Sequence, residues 1–306
     1  MVQSESELVL PDMTVRALLP GWTHTNILLQ RGAEMWLVLK VPASAGDSAS
    51  RYRRLFGWYH QLAEHRLCPT PLEFGIVSHV ETFPYMILEY VPGRLYSSPC
   101  TISSADMSRL LGSLSSFWRV EVSDVPRYNT PVDYLGQLTR TLDDFALGQL
   151  GSEIAQQTRD CLESLRDLCP SIEWCSDSTI HGDLSETNIV FAEDRVVFLD
   201  PENLAIADPV LDVAYLSIQA EHYECPDIIP RLLPKAARRG VEGHISLALM
   251  TVITWSLERL TLIDSGRVAS RLSTDDIRGR IIRYVLRKLN YLTRVLEKGL
   301  SDLDKL

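Results

Sequence analysis

Asp183, Asn188 and Asp200 are the side chains whose types and spacing most plainly suit chemistry. They lie in His181-Gly182-Asp183-Leu184-Ser185-Glu186-Thr187-Asn188, followed by Ile189-Val190-Phe191 and Val196-Val197-Phe198-Leu199-Asp200-Pro201. Two short apolar runs flank a polar turn at Glu193-Asp194, which reads as a tight hairpin. With the turn centred there, Asn188 stands opposite Leu199 and Asp200 is one residue beyond. Asp183 sits on the loop entering the hairpin, so two carboxylates and an amide oxygen converge at one end. Hard oxygen ligands on a rigid hairpin suit Mg²⁺, which keeps several waters and is completed by substrate phosphates.

An Asp five residues before an Asn, then an Asp closing the next strand, is the layout of a phosphoryl-transfer site. The loop reads His-Gly-Asp, not the His-Arg-Asp of protein kinases, and the second motif reads Asp200-Pro201-Glu202, not Asp-Phe-Gly. Asp208-Pro209-Val-Leu-Asp212 follows. This block, residues 180–216, resembles the aminoglycoside phosphotransferase and choline kinase superfamily. That pattern is His-x-Asp-x4-Asn, a hydrophobic strand ending in Asp, then Asp-Pro-x-x-Asp. The resemblance implies an α+β, two-lobed protein-kinase-like fold: a β-rich nucleotide-binding lobe over residues 1–93 and a mainly helical lobe over residues 94–306 carrying the metal hairpin.

It also implies roles. Asp183 is the expected base taking the proton of an acceptor hydroxyl. Asn188 and Asp200 are the expected Mg²⁺ ligands, and ATP, or GTP in its place, is the phosphoryl donor. His181 is read as orienting the loop, and Asp208 and Asp212 as structural, through turn formation or capping of the helix after Pro209. Glu202 is left open as a neighbour of the metal site.

The front of the chain must position these groups. Asn26-Ile-Leu-Leu-Gln and Met35-Trp-Leu-Val-Leu-Lys-Val are β-type runs joined by a turn at Arg31-Gly32-Ala33-Glu34. Upstream, Gly21 lies in Pro20-Gly21-Trp22-Thr23-His24-Thr25; a glycine there is either an ordinary turn or lets backbone approach phosphates. Lys40 closes the second run, either as a solvated charge or, by the resemblance, as the phosphate-binding lysine. Tyr52, Leu55, Phe56, Tyr59 and Leu62 recur at helical spacing over Arg51 to Arg66. The family's glutamate partner for the lysine falls at Leu55, and no acid occurs from Ser48 to Ala63. Glu64, nine residues on, points the other way at about 3.6 residues per turn. Asp47 or Glu34 substitutes, or catalysis is weak, or the protein is a nucleotide-binding regulator rather than an enzyme. Tyr85-Met-Ile-Leu-Glu-Tyr-Val-Pro-Gly93 reads as a strand ending in a hinge. There the backbones of Glu89 and Val91 are expected to bind adenine, their side chains carrying little information.

Helical patterns follow from Ser103, from Pro131 to Leu168 with breaks at Gly148 and Gly151, from Asp212, from Ser246 to Leu262 and from Asp275 to Lys298. Where the family often has a Leu-His pair, this chain has Phe117-Trp118. The last helix is basic and amphipathic: a solvated face over a packed stripe, or a surface for anionic partners. The resemblance implies a small-molecule hydroxyl as acceptor, on an amino sugar, amino alcohol or similar metabolite. Glu221, Glu224 and Asp227 offer a carboxylate cluster for a cationic one. Trp255, Tyr223 and Tyr215 are either core or a box for a quaternary ammonium.

Composition sets the bounds. The 306 residues carry a net charge of −10, which argues against a nucleic-acid binder. An apolar content of 45% supports a full core. Six cysteines show no CxxC pair, as expected of reduced thiols in a cytoplasmic protein. The N-terminus is unlike a signal peptide, and the apolar stretch Ile245 to Leu257 is too short to span a bilayer, so no membrane partner is expected. Oligomeric state is not legible.

Overall fold

The computed structural model describes residues 13–19, 24–32, 35–42, 49–78, 82–96, 102–143, 152–219, 229–233, 240–264 and 274–298. Five strands form the front: β1 (Met13–Leu19), β2 (His24–Arg31), β3 (Met35–Pro42), β4 (Pro71–Ser78) and β5 (Thr82–Glu89). They run in the order β1-β2-β3-β5-β4, each pair antiparallel. Helix α1 (Ala49–Glu64) is inserted between β3 and β4. It ends where Arg66 turns left-handed, at φ 61°.

The period of two along β5 divides the sheet. Tyr85 and Ile87 join Leu29, Leu37, Leu39 and Val77 in one cluster. Met86 and Leu88 belong instead to the main core with Tyr52, Leu55, Tyr59 and Leu62 of α1. Those four buried residues follow the three- and four-residue steps of one helix face. Lys40 pairs in register with Met86, so it shares the α1 side of the sheet and is only 1% exposed. It is not a solvated surface charge.

After the hinge, β6 (Arg94–Leu95) joins β8 (Ile189–Phe191) and β9 (Val196–Phe198) in a three-stranded sheet. A second small sheet pairs β7 (Ser178–Ile180) with β10 (Ala205–Ala207). The remainder is helical: α2 (Ser104–Phe117), α3 (Pro131–Asp143), α4 (Ser152–Leu168), α5 (Val210–Ile218), α6 (Ile229–Leu232), α7 (Val241–Asp264) and α8 (Thr274–Lys298). Ser103 caps α2, its hydroxyl accepting the Asp106 N–H. The expected breaks at Gly148 and Gly151 lie outside the described residues.

Helix α7 corrects the expectation of a short apolar stretch. Val241–Ile263 is long and apolar enough to cross a membrane. Here 72% of its most apolar window is buried inside the fold, and the helix packs against α3, α4, α5 and α8. On α8, Ile281, Val285, Leu289 and Leu292 form the packed stripe. Lys288, grouped by sequence with the basic residues of this helix, is instead fully buried and donates to the Ile218 carbonyl at the end of α5. Cys68, Cys161, Cys169 and Cys175 are free thiols.

Leu55 occupies the position where the resemblance places an acid, yet it is 3% exposed and part of the core. Leu55→Glu therefore buries a carboxylate in apolar surroundings and is expected to cost about 3 kcal/mol, read by urea denaturation. It is expected to bring no gain in turnover.

Candidate active site

The hairpin forms where the two apolar runs and the polar turn between them predict it. Ile189 pairs with Phe198, Val190 with Val197 and Phe191 with Val196, and the Ala192 N–H to Arg195 carbonyl bond closes the turn around Glu193 and Asp194. Leu199 donates its N–H to the Asn188 carbonyl at 2.8 Å, so Asn188 and Leu199 face each other and Asp200 follows. The strands stay in place because both faces are buried: Ile189, Phe191, Val196 and Phe198 lie in the main core, while Val190 and Val197 pack with Val91 of the hinge. Arg109 of α2 donates to the Ala192 carbonyl at 2.5 Å and holds the turn from outside.

Asp212 organises the loop that carries Asp183. Its carboxylate accepts the His181 N–H, the Gly182 N–H and the Trp118 indole N–H, each at 3.0 Å. Burial raises its pKa, and those donors, with His181, offset the rise in part. Its role is structural, as expected, but through the loop rather than through its helix. Trp118 was not identified as a site residue by sequence; the signal was the aromatic standing in the family's histidine position. Asp208 does cap α5, accepting the Val210 N–H at 2.8 Å, and also takes the Cys175 N–H. Gly182 adopts φ 75°, and a Cβ there would lie 2.4 Å from the Asn203 carbonyl oxygen.

His181 bridges loop and hairpin. Its Nε2 is 2.8 Å from the Leu199 carbonyl and its Nδ1 accepts the Asp183 N–H at 3.3 Å. That pair of contacts requires the neutral tautomer protonated at Nε2. Burial lowers the histidine pKa, in keeping with that form. Asn188 Nδ2 donates to the Asp183 carbonyl at 2.9 Å and to its carboxylate at 3.1 Å, which turns the amide oxygen of Asn188 away from Asp183. Burial, with the negative charges of Asp200 and Glu202, pushes Asp183 up to about 7.

Asp200 adopts φ 54°, a conformation uncommon outside glycine that Asp tolerates better than most. The Glu202 N–H donates to the Asp200 carbonyl at 2.8 Å, a three-residue turn centred on Pro201. The turn sends both carboxylates to Lys40. Its ammonium lies 2.5 Å from Asp200 Oδ1 and 3.0 Å from Glu202 Oε1. Burial lowers the lysine pKa, but the two acids outweigh it and hold it above its ordinary value. Besides Asp200, the acid beside Lys40 is thus Glu202; Asp47 and Glu34 lie outside the described residues. Glu202 Oε1 is also 2.7 Å from His24 Nδ1, and Tyr59 donates to Asp200 Oδ1 at 3.4 Å.

At the hinge, the Glu89 N–H is taken by the Thr70 carbonyl at 2.8 Å. The Glu89 side chain is informative after all. It accepts from the Thr70 N–H and hydroxyl and from Arg195 of the hairpin. Next to it, Phe198 donates its N–H to the Leu67 carbonyl at 2.8 Å, and Cys68 Sγ donates to the Phe198 carbonyl at 3.0 Å. Tyr215 is core, its hydroxyl 3.1 Å from that of Tyr134, whereas Trp255 is 37% exposed. Gly21, Glu221, Tyr223, Glu224 and Asp227 lie outside the described residues.

The donor set of Asn188 and Asp200, one amide oxygen and one partly exposed carboxylate, fits a hard cation with few protein ligands. Among the described residues there is no group of three or more His, Cys, Asp or Glu side chains placed to hold a metal. A family model described as the phosphotransferase enzyme family matches residues 14–240. The chain belongs to that family. No curated protein matches it by sequence. Among solved structures, APH(2")-IIia in its GDP and kanamycin complex superposes with a TM-score of 0.67 at 16% identity, covering 91% of this chain and 93% of that one. A choline/ethanolamine kinase family protein from Mesorhizobium loti gives 0.58 at 16% identity, covering 90% and 91%. Amicoumacin kinase hAmiN, in complex with AMP-PNP, Ca²⁺ and Ami, gives 0.59 at 13% identity, covering 90% and 88%. The phosphotransferase therefore has the two-lobed kinase-like fold expected from sequence.

Removing the carboxylate of Asp212 leaves three buried N–H donors without an acceptor. Asp212→Ala is expected to lower stability by about 3 to 5 kcal/mol and to cost turnover with it. Chemical denaturation followed by tryptophan fluorescence reads the first effect.

Proposed function

We propose that this phosphotransferase moves the γ-phosphoryl group of Mg²⁺-bound ATP, or GTP, to a hydroxyl of a small amine-bearing molecule. The observation that carries the reading is the convergence of four side chains: Asn188 bonds Asp183, and Lys40 bonds Asp200. Neighbours of the same fold in complexes with GDP and kanamycin, or with AMP-PNP, Ca²⁺ and Ami, support it. The nucleotide lies between the lobe of residues 1–93 and that of residues 94–306, its base against the hinge at Glu89 and Val91.

Each residue then has a task. Asp183 accepts the proton of the acceptor hydroxyl, and Asn188 keeps its carboxylate aimed by donating to it. Lys40 neutralises charge on the phosphates, and its burial strengthens that field. Asn188 and Asp200 would hold the Mg²⁺, which supplies charge neutralisation to the phosphoryl oxygens when bound. Positioning and electrostatics supply most of the rate in such transfers, so tight fixation of loop and hairpin is the relevant design. A catalytically weak nucleotide-binding regulator was the other reading, and it rested on the missing acid at Leu55. Glu202 supplies a carboxylate to Lys40 and removes that reason.

Calorimetric titration of ATP and GTP, with and without Mg²⁺, tests the nucleotide site. Mg²⁺-dependent binding should be lost in Asp200→Ala; equal binding by wild type and variant would move the nucleotide elsewhere.

Asp183→Asn is expected to cut transfer by about a thousandfold or more while sparing nucleotide affinity, measured on a panel of amino sugars and amino alcohols. The same variant has a signature in stability. Asp183 is raised from 3.8 to about 7 in the folded protein. Its favourable contribution is fully present below about 3.8 and is lost as pH rises through about 7. In EDTA, Asp183→Asn should thus be more stable than wild type at pH 8, by on the order of 2 kcal/mol after screening, and show little difference at pH 4.

A further inference from the structure

Glu202 is placed to do something that the phosphotransfer steps above leave unassigned. Its side chain is 10% exposed and stands between three elements. Oε1 is 3.0 Å from Lys40 Nζ on β3 and 2.7 Å from His24 Nδ1 on β2; Oε2 is 3.4 Å from Arg51 at the start of α1. These are ion-pairing distances. His24 is itself 3% exposed, and its ring lies 5.3 Å from that of Tyr52 on α1. No residue of α1 before Glu64 is acidic, and Leu55 at the expected place is packed in the core. Lys40 is held on its other side by Asp200, two residues before Glu202 in the same turn.

Resting on the phosphotransferase reading, we propose that Glu202, steadied by His24, is the positioning residue that holds Lys40 for the nucleotide triphosphate. It stands in place of an acid on α1. The anchor of the lysine has moved from the helix to the segment carrying the metal-site aspartate. Lys40 is thereby registered directly against Asp200 instead of through the packing of α1. His24 opens β2, so its contact with Glu202 also ties the start of that strand to the same segment. Exposure separates this role from that of Asp200: the Glu202 side chain is 10% exposed with both oxygens facing basic groups of this chain, whereas that of Asp200 is 37% exposed.

The test compares wild type with Glu202→Gln, Glu202→Asp and His24→Gln. Nucleotide affinity is measured by calorimetry with ATP in Mg²⁺ and with ATP in EDTA. Slow ATP hydrolysis, with water as acceptor, gives kcat and KM. Lys40 mobility is read without nucleotide, as its acetylation by acetic anhydride quantified by mass spectrometry. Glu202→Gln should weaken ATP binding about tenfold in both Mg²⁺ and EDTA, and should raise Lys40 acetylation several-fold. Glu202→Asp should recover part of both effects, and His24→Gln should fall between wild type and Glu202→Gln. Loss of affinity in Mg²⁺ alone, with affinity in EDTA unchanged, would make Glu202 a metal ligand and overturn the proposal. Unchanged acetylation and unchanged kcat and KM, with only a lower Tm, would reduce it to a fold residue and overturn it as well. Wild-type protein that binds neither ATP nor GTP sinks the phosphotransferase reading itself; in that case the acetylation result still decides whether Glu202 anchors Lys40.

Discussion

A primary ammonium removed from water is one of the costlier things a fold can contain, and this fold contains one at Lys40. The structure tolerates it because two carboxylates reach it from a single tight turn. That arrangement couples the front sheet to the back of the molecule. β3 cannot leave without stranding a buried cation, and the Asp200 turn cannot leave without stranding two acids. The Asp200 backbone is held in a left-handed conformation at the same spot. Strain of that kind persists where surrounding structure over-determines it, and it is a familiar companion of functional sites.

The loop carrying Asp183 follows the same logic with polarity reversed. There the buried group is the carboxylate of Asp212, and the donors are two successive backbone N–H groups and an indole. His181 passes the order on to Leu199 and Asp183, and Asn188 closes the circuit back to Asp183. Every member is satisfied by another, which gives a polar network its rigidity. Phosphoryl transfer in general draws its rate from positioning and electrostatics more than from covalent chemistry, so fixed geometry of this kind suits it.

How much of this was legible follows from the range of each interaction. Asp183, Asn188 and Asp200 are local in sequence, so hairpin alternation alone brought Asn188 opposite Leu199. Strands β2, β3 and β5 followed from apolar β-type runs and α1 from helical spacing, whereas β1 and β4 carried no such run. The partner of Lys40 was not legible either, because it is 162 residues away and the pairing depends on the positive φ of Asp200, which no periodicity encodes. Trp118 was missed for a related reason: its indole reaches Asp212 across 94 residues, and aromatic residues at helix ends are ordinary core. Lys288 and Glu89 show the converse error. Both were read by residue type as surface or neutral positions, whereas tertiary packing makes one a buried helix cap and the other a hinge brace.

The two ties near the hinge have a mechanical consequence. Leu67 and Cys68 are bonded to Phe198, and Glu89 is bonded to Arg195, so the hairpin is fastened to the front of the molecule at two separate places. Lys40 bound to Asp200 and Glu202, and Arg66 bound to Asp194, add further fastenings, so the hairpin and the front sheet cannot shift against each other without breaking several bonds at once.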